Sequence, residues 1–197
     1  LLGVPHPKWL AVAADGDGGF VVEMGMPQFA PADIPLAGFL QAQDDYVIRL
    51  AHGERITEIT IDEKLSAERS RRPNFVGLSF PVIAGFNANG AMPHYRATKD
   101  SHAEIAGDGL LLIDSGGQYL GGTTDITRVW PVGTVSAAMK RDFTLVLKGT
   151  MALSRTRFPR GTLSPMLDAI ARAPLWAEGV EFGHGTGHGV GYFLAVH

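Results

Sequence analysis

Hydrophobic and polar positions along the chain form short strand-like runs separated by longer helical segments. Residues 109–114 contain an uninterrupted apolar run, as expected for a strand that is buried on both faces. Residues 75–86 are also strand-like, and residues 123–132 alternate loosely and are rich in β-branched side chains. Apolar runs at 9–12 and 20–22 flank a stretch of aspartate and glycine, which predicts a hairpin.

Helices are predicted from capping signals and from the spacing of apolar residues. Thr60 begins a capping-box pattern, and its helix should stop before Pro73. Ser136 opens a predicted helix of roughly 20 residues. Ser164 is followed by a proline suited to the first helical position, which predicts a short helix that reaches about Arg172.

Two further segments give weaker signals. Residues 39–52 predict a helix of low amphipathicity, and the tail from Phe182 is glycine-rich and then strand-like. Arg69, Arg71 and Arg72 form a small basic run at a helix end, where they favour the helix dipole and need no ligand. The mixture of elements predicts an α+β fold rather than alternating βαβ units.

Composition excludes several classes of function. The chain has no cysteine, so it can form neither a disulfide framework nor a cysteine metal site. Its formal net charge is −3, from 17 basic and 20 acidic residues, which shows no bias towards nucleic acid or an anionic membrane. We therefore expect neither a nucleic acid nor a membrane as a partner.

The two ends of the chain predict a fragment of a longer protein. The first methionine is Met24, and residues 194–197 close the chain within an apolar run. Natural domains usually finish in a polar tail or a capped helix. Residues 1–14 lack the basic region of a signal peptide. No apolar run approaches the ~20 residues that a bilayer crossing needs, so a cytoplasmic location is predicted.

Two aspartates flank a glycine-rich connection between apolar strands. If the turn of a hairpin lies between Tyr119 and Leu120, Asp114 and Asp125 are directly opposite, with Cβ atoms about 4.5–5.5 Å apart. Two carboxylates that close cannot both stay ionised without a cation, which favours a divalent metal site. The alternative is a pair of turn or capping aspartates that never meet.

A second group of polar residues lies in the stretch 182–191, which carries His184 and His188 among five glycines. So many glycines exclude a stable helix and hence a helical zinc motif, and no Gly-Lys-Ser/Thr follows to make a phosphate loop. The two histidines could project into one small space, or the segment could be a turn with solvent-exposed histidines. His94, beside Pro93, is a further candidate.

These motifs together resemble one enzyme family. Residues 114–119, 124–128 and 184–191, the last running on to His197, are similar to the M24 metallopeptidases, and specifically to cytosolic-type Xaa-Pro aminopeptidases. Supporting matches lie at 78–81, 93–95 and 147–149, and the resemblance covers about residues 53–197. It implies an α+β pita-bread fold. Residues 36–197 would form a partial catalytic domain, and 1–35 an unassigned leader or the remnant of a preceding domain.

The resemblance also implies roles for individual residues. It implies that three residues bind metal: Asp114, Asp125 and His188. It implies catalytic or substrate-binding roles for three histidines: His94, His184 and His197. The family site holds two divalent ions, and a carboxylate-rich ligand set favours Mn²⁺ ahead of Zn²⁺ or Co²⁺. Two further glutamate ligands of the family lie beyond His197, so we expect a fold incomplete at its C-terminal side and weak or single-ion binding.

The function implied is release of the N-terminal residue from peptides with proline second, by a water that two metal ions activate. The full-length parent would be a homodimer through its preceding domains. One alternative is a prolidase-like or other M24 hydrolase. An alternative from a different class is a non-catalytic, peptidase-like module that binds peptides or proteins.

Overall fold

The computed structural model describes residues 12–14, 20–22 and 55–197, which belong to two units divided between His52 and Gly53. In the first unit, strands β1 (Val12–Ala14) and β2 (Phe20–Val22) pair antiparallel, with Val12 opposite Val22. This strand pair confirms the predicted hairpin. The turn between the strands, the predicted helix over 39–52 and the predicted boundary between residues 35 and 36 lie outside the described residues.

The second unit has two three-stranded antiparallel sheets among its described residues. Its strands are β3 (Phe75–Leu78), β4 (Ile83–Phe86), β5 (Gly109–Ser115), β6 (Gly117–Tyr119), β7 (Gly122–Thr123) and β8 (Ile126–Val132). One sheet has the order β4-β5-β8, and the other has the order β3-β6-β7. Strand β5 is the centre of the first sheet, which explains the uninterrupted apolar run in its sequence.

Three α-helices accompany these sheets: α1 (Glu58–Ser70), α2 (Ala137–Arg155) and α3 (Asp168–Trp176). Single 3₁₀ turns cover Asn87–Ala91 and Ser164–Leu167. Ser136 caps α2 as predicted, because its hydroxyl accepts a hydrogen bond from the Met139 amide at 3.2 Å. Among the described residues, none of the helices combines the length and apolar character that crossing a membrane requires.

Two predicted helix starts are wrong. Thr57, not Thr60, caps α1: its extended backbone lets its hydroxyl accept from the Thr60 amide, while Thr60 reaches back to the Thr57 amide at 2.8 Å. Ser164 makes no capping hydrogen bond, since it lies inside the 3₁₀ turn that precedes α3. Helix α3 then continues past the predicted end to Trp176, with Pro174 within it.

The core lies between α1 and the sheet β4-β5-β8. Ile61 packs with Ala84, Phe86 and Leu111, all of which are buried. Helices α2 and α3 form a separate layer.

The approach of α2 to α3 depends on one glycine. A Cβ atom at Gly149 would lie 2.1 Å from the carbonyl oxygen of Ala171, so no larger residue fits without separating the two helices.

The strand predicted in the tail is not formed. Residues 180–197 are irregular, because Gly191 and Phe193 have φ angles of 71° and 55°, which turn the chain away from an extended path. Single hydrogen bonds replace a strand ladder: the Phe193 amide donates to Thr123 Oγ1 at 2.8 Å, and Gln118 Nε2 donates to the Leu194 carbonyl at 3.1 Å. These bonds place the end of the chain beside the hairpin that carries Asp114.

Candidate metal centre

Asp114 and Asp125 lie on one long hairpin that runs through both sheets. Asp114 is opposite Thr127, not Asp125, so the predicted register is wrong by two residues. The cause is the turn, which lies one residue later than predicted, since Gln118 pairs with Thr123 beyond the sheet junction. Asp125 precedes Thr127 by two positions and therefore shares a face with it. The two carboxylates still meet, on a diagonal instead of directly across.

Two histidines of the irregular tail reach this carboxylate pair. One donor atom each from Asp114, Asp125 and His197 lie within 4.8 Å of one another. His197 Nε2 is 3.6 Å from Asp114 Oδ2, and His188 Nε2 is 3.6 Å from Asp125 Oδ2. The rings of His188 and His197 meet edge to face at 5.6 Å. The structure thus gathers two carboxylates and two imidazoles from distant parts of the sequence.

Asp114 is a largely buried carboxylate with one oxygen that is unpaired among the described residues. Its side chain is 14% exposed, and its Oδ1 is buried without a hydrogen-bond partner in the described part of the chain. Burial raises the pKa of Asp114, and the nearby negative charge of Asp125 raises it further, while a hydrogen bond with Thr127 and the proximity of His197 act in the opposite direction. A hard divalent ion would satisfy the bare oxygen and remove the repulsion, so the donor set fits such a metal.

His94 joins the same centre through His197. The two imidazoles stack with 5.4 Å between ring centroids and 13° between planes, and Phe80 packs on His197 at 4.1 Å. His94 and His197 line a pocket of about 260 Å³ whose apolar wall includes Pro81 and Val82. A ligand in this pocket would therefore contact both an apolar surface and two imidazoles.

His184 lies apart from this group of donors. Its ring packs on Phe182 with centroids 4.9 Å apart, and its carbonyl accepts a hydrogen bond from Arg172 of α3. It lines a second cavity of about 180 Å³, bounded by α2 and α3. The predicted position of His184 at the edge of the substrate pocket stays a prediction.

A buried arginine, Arg69, connects helix α1 to the strand that carries Asp114. The sequence predicts Arg69 as part of a basic run at a helix end, but its side chain is only 8% exposed and donates to the carbonyl and hydroxyl of Ser115 at 3.2 and 2.8 Å. It also donates to the hydroxyl of Tyr119 at 3.4 Å. Arg69 thereby ties α1 to the residue next to Asp114. Its partners are far along the sequence, so no local pattern could have shown them.

The junction between the two sheets is sterically closed. A Cβ atom at Gly116 would lie 2.0 Å from the Thr124 carbonyl oxygen and 2.2 Å from Ser79 Oγ. Ser79 in turn donates a hydrogen bond to that carbonyl at 2.7 Å. Gly116 lies two residues after Asp114, and Thr124 directly precedes Asp125. This close contact therefore fixes the distance between the strands near the point where the carboxylates meet.

Comparison with known proteins identifies the class that this fold and site represent. Residues 38–197 match the model of metallopeptidase family M24. The chain belongs to that family, which confirms the resemblance seen in its motifs. Its mixed helix and sheet architecture is the α+β pita-bread fold of the family's solved structures, as predicted.

Two curated relatives show which kind of M24 metallopeptidase the chain resembles in sequence. The chain is 48% identical over 143 residues to aminopeptidase P1 of Arabidopsis thaliana, covering 73% of this chain and 22% of the relative. It is also 48% identical over 149 residues to a probable Xaa-Pro aminopeptidase P of Laccaria bicolor, covering 76% and 23%. The chain thus spans less than a quarter of the length of these relatives.

Among solved structures, the chain is similar to enzymes named for Xaa-Pro peptides. The X-prolyl aminopeptidase of Caenorhabditis elegans, described as a cytosolic enzyme with a di-nuclear active site, is 40% identical with a TM-score of 0.69, over 74% of this chain and 24% of that one. An Xaa-Pro dipeptidase of Bacillus anthracis is 27% identical with a TM-score of 0.61, over 68% and 37%. The chain is therefore similar in fold and sequence to a dipeptidase as well as to an aminopeptidase.

Proposed function

We propose that this chain supplies part of the active site of a metal-dependent aminopeptidase that releases the N-terminal residue from peptides with proline second. The observation that carries the proposal is the convergence of Asp114, Asp125 and His197 donor atoms within 4.8 Å, with one buried carboxylate oxygen unpaired. The similarity to proteins named aminopeptidase P and Xaa-Pro aminopeptidase supports the substrate class.

The proposed cofactor is a pair of divalent metal ions, with Mn²⁺ as the physiological metal and Zn²⁺ or Co²⁺ as alternatives. The di-nuclear site of the Caenorhabditis elegans relative supports the number of ions. Asp114, Asp125 and His188 are the proposed ligands. His197 Nε2 lies 3.6 Å from Asp114 Oδ2, the same distance as that from His188 Nε2 to Asp125 Oδ2. Bound metal would lower the pKa of a water and polarise the scissile carbonyl.

The chain's own side chains would bind and orient the peptide. His94 and His197 stand side by side on the pocket, where imidazole N–H groups can donate hydrogen bonds to an oxygen that gains negative charge. Pro81 and Val82 offer an apolar wall suited to a proline ring. His184 lines the separate cavity beside α3, and its proposed contact with the substrate would be made from there.

Two alternatives remain distinct from this proposal. A prolidase-like enzyme would use the same metal centre and cleave only dipeptides, whereas an aminopeptidase also accepts longer peptides with proline second. A non-catalytic binding module would not need the carboxylate pair, and the retained donors Asp114 and Asp125 favour an enzyme. Dimer formation by the longer protein and a cytosolic location, as in the Caenorhabditis elegans relative, are part of the proposal.

The first test is the metal affinity of an Asp125→Asn variant. We expect Mn²⁺ binding to weaken by at least about 100-fold, because the change removes a charged ligand rather than an outer-shell partner, whose loss already costs about 10–100-fold. Isothermal titration with MnCl₂ measures the affinity.

Asp142→Asn is the matched control, since Asp142 is an exposed carboxylate on α2 that pairs with Arg141. Its Mn²⁺ affinity should equal that of the unchanged chain. If Asp125→Asn bound Mn²⁺ as tightly as the unchanged chain does, the proposed metal centre would be wrong. In a separate peptide-cleavage assay, cleavage of dipeptides but not of longer peptides would favour the prolidase alternative.

A further inference from the structure

One arginine of α3 is surrounded by the segment that leads into the glycine-histidine stretch. The Arg172 side chain is 12% exposed. Its Nε donates to Asp168 Oδ2 at 2.6 Å, one turn earlier on α3, and its Nη1 donates to Glu181 Oε1 at 2.6 Å. Two carboxylates therefore hold the guanidinium in one orientation, with its remaining N–H groups directed at the backbone beyond the helix.

Those remaining groups bind two backbone carbonyls of the tail. Arg172 Nη1 donates to the Phe182 carbonyl at 2.7 Å, and Nη2 donates to the His184 carbonyl at 2.6 Å. The guanidinium carbon also lies 4.0 Å from the centroid of the Phe182 ring, within cation–π distance. Thr186 adds one more attachment, since its hydroxyl donates to Asp168 Oδ1.

The tail itself has little packing that could hold it in place. A Cβ atom at Gly183, Gly185, Gly187 or Gly189 would meet nothing within 4 Å. These glycines are not required by close contacts, and glycine loses more conformational entropy on ordering than any other residue. An external attachment must therefore supply the free energy that orders the segment, and Arg172 donates three of the six hydrogen bonds described for residues 181–184, including both that join a helix side chain to the segment's backbone.

We propose that Arg172 is a positioning residue that fixes residues 182–186 on α3 and thereby sets the His188 imidazole beside Asp125. The consequence for metal binding rests on the function proposed above, whereas the ordering of the segment does not. Arg172 contacts neither the aspartate pair nor the pocket of His94, so its effect is transmitted through the backbone. The planar fork is essential, because a lysine ammonium is a single point that cannot serve two carboxylates and two carbonyls in one geometry.

The test compares Arg172→Lys with Arg141→Lys. Arg141 also binds a carboxylate through two nitrogens, to Asp142, but it is exposed and makes no described contact with the tail. Hydrogen–deuterium exchange followed by mass spectrometry measures peptides from the sheets and from residues 178–186, where the amides of Glu178, Gly179, Val180 and Phe182 donate hydrogen bonds. We expect exchange at 178–186 to quicken about tenfold in Arg172→Lys, with no change in the sheets, because the hydrogen bonds that hold this segment on α3 are lost and its bonded amides open more often.

Metal titration of the same two variants provides the second readout. We expect Arg172→Lys to weaken Mn²⁺ binding about 10-fold, the lower range for outer-shell residues, and Arg141→Lys to leave it unchanged. Unchanged exchange at 178–186, or equal acceleration throughout the sheets, would overturn the positioning role. Faster exchange with unchanged Mn²⁺ affinity would overturn the proposed effect of Arg172 on the position of His188. An unchanged chain that binds no Mn²⁺ would refute the proposed function, and exchange alone would then decide the role of Arg172.

Discussion

Glu58, at the start of α1, is fully buried with an exposure of 0%. Its carboxylate accepts hydrogen bonds from the amides of Phe86 and Ala103, both at 2.7 Å, from the Tyr95 hydroxyl at 2.7 Å and from Asn89 Nδ2 at 3.0 Å. One side chain thus joins α1, the end of β4 and the segment next to His94. Burying a carboxylate is costly unless such donors compensate it.

Glu58→Gln should destabilise the fold by about 2–3 kcal/mol at pH 7, the usual value for hydrogen bonds to a charged group. The amide that replaces one carboxylate oxygen is itself a donor and would face other donors. Urea unfolding measures the change. Glu63→Gln, an exposed position on the same helix, should leave stability unchanged.

The effect of Glu58→Gln should also depend on pH. Burial raises the pKa of Glu58, but the hydrogen bonds together outweigh burial and lower the pKa below its ordinary value of 4.5. Since the folded chain binds the proton less tightly than the unfolded chain, the stabilisation is complete above that value and is lost as pH falls through the folded pKa. The difference between the two proteins should therefore shrink in acid, and a difference that grows would contradict this account.

At the scale of elements, the hairpin formed by β5, β6, β7 and β8 passes from one sheet to the other at Gly116. The close contacts of Gly116 with Thr124 and Ser79 leave no space for a side chain. The two sheets and the two aspartates therefore depend on one junction.

Gly116→Ala should destabilise the fold by about 3 kcal/mol, the upper range for overpacking, because the added methyl meets backbone rather than a flexible side chain. Gly121→Ala is the control, since a Cβ atom there would meet nothing within 4 Å. Thermal and urea unfolding compare the two variants. Equal stability of both would show that the junction relaxes without cost.

The elements were largely predictable because their signals are local. The apolar run of β5 and the serine cap of α2 depend on neighbouring residues alone. The register of the hairpin was not predictable, since the glycine-rich connection allows turns centred one residue apart. The tail was predicted as a strand because its apolar residues were visible and the φ angle of Phe193 was not.

The residues of the candidate site also divide into those with a local sequence signal and those that only long-range contacts reveal. Asp114, Asp125 and His188 came from local motifs, and the structure groups the two aspartates with His197 and sets His188 beside Asp125. Arg69 and Arg172 were missed, since an arginine on a helix is usually a solvated residue and only long-range contacts show otherwise.

For the molecule as a whole, the carboxylate pair couples metal binding to stability. Asp114→Asn should raise the unfolding free energy of the metal-free chain by about 1 kcal/mol, because it removes a buried charge that has an unpaired oxygen. Excess Mn²⁺ at about 100 times its dissociation constant should add about 2.7 kcal/mol to the unchanged chain and little to the variant. Melting curves with and without Mn²⁺ test the expected reversal of order. Asp142→Asn should behave as the unchanged chain does, and a variant that Mn²⁺ stabilises equally would contradict the coupling.

The donors of the centre also differ in when they can meet during folding. Asp114 and Asp125 belong to one hairpin, whose short loop closes quickly and at small entropic cost. His188 and His197 reach it only after the chain has passed through α2 and α3. The hairpin therefore assembles a pair of mutually repelling charges before any imidazole arrives, and a divalent ion present at that moment would act as a nucleus for folding as well as a cofactor of the finished fold.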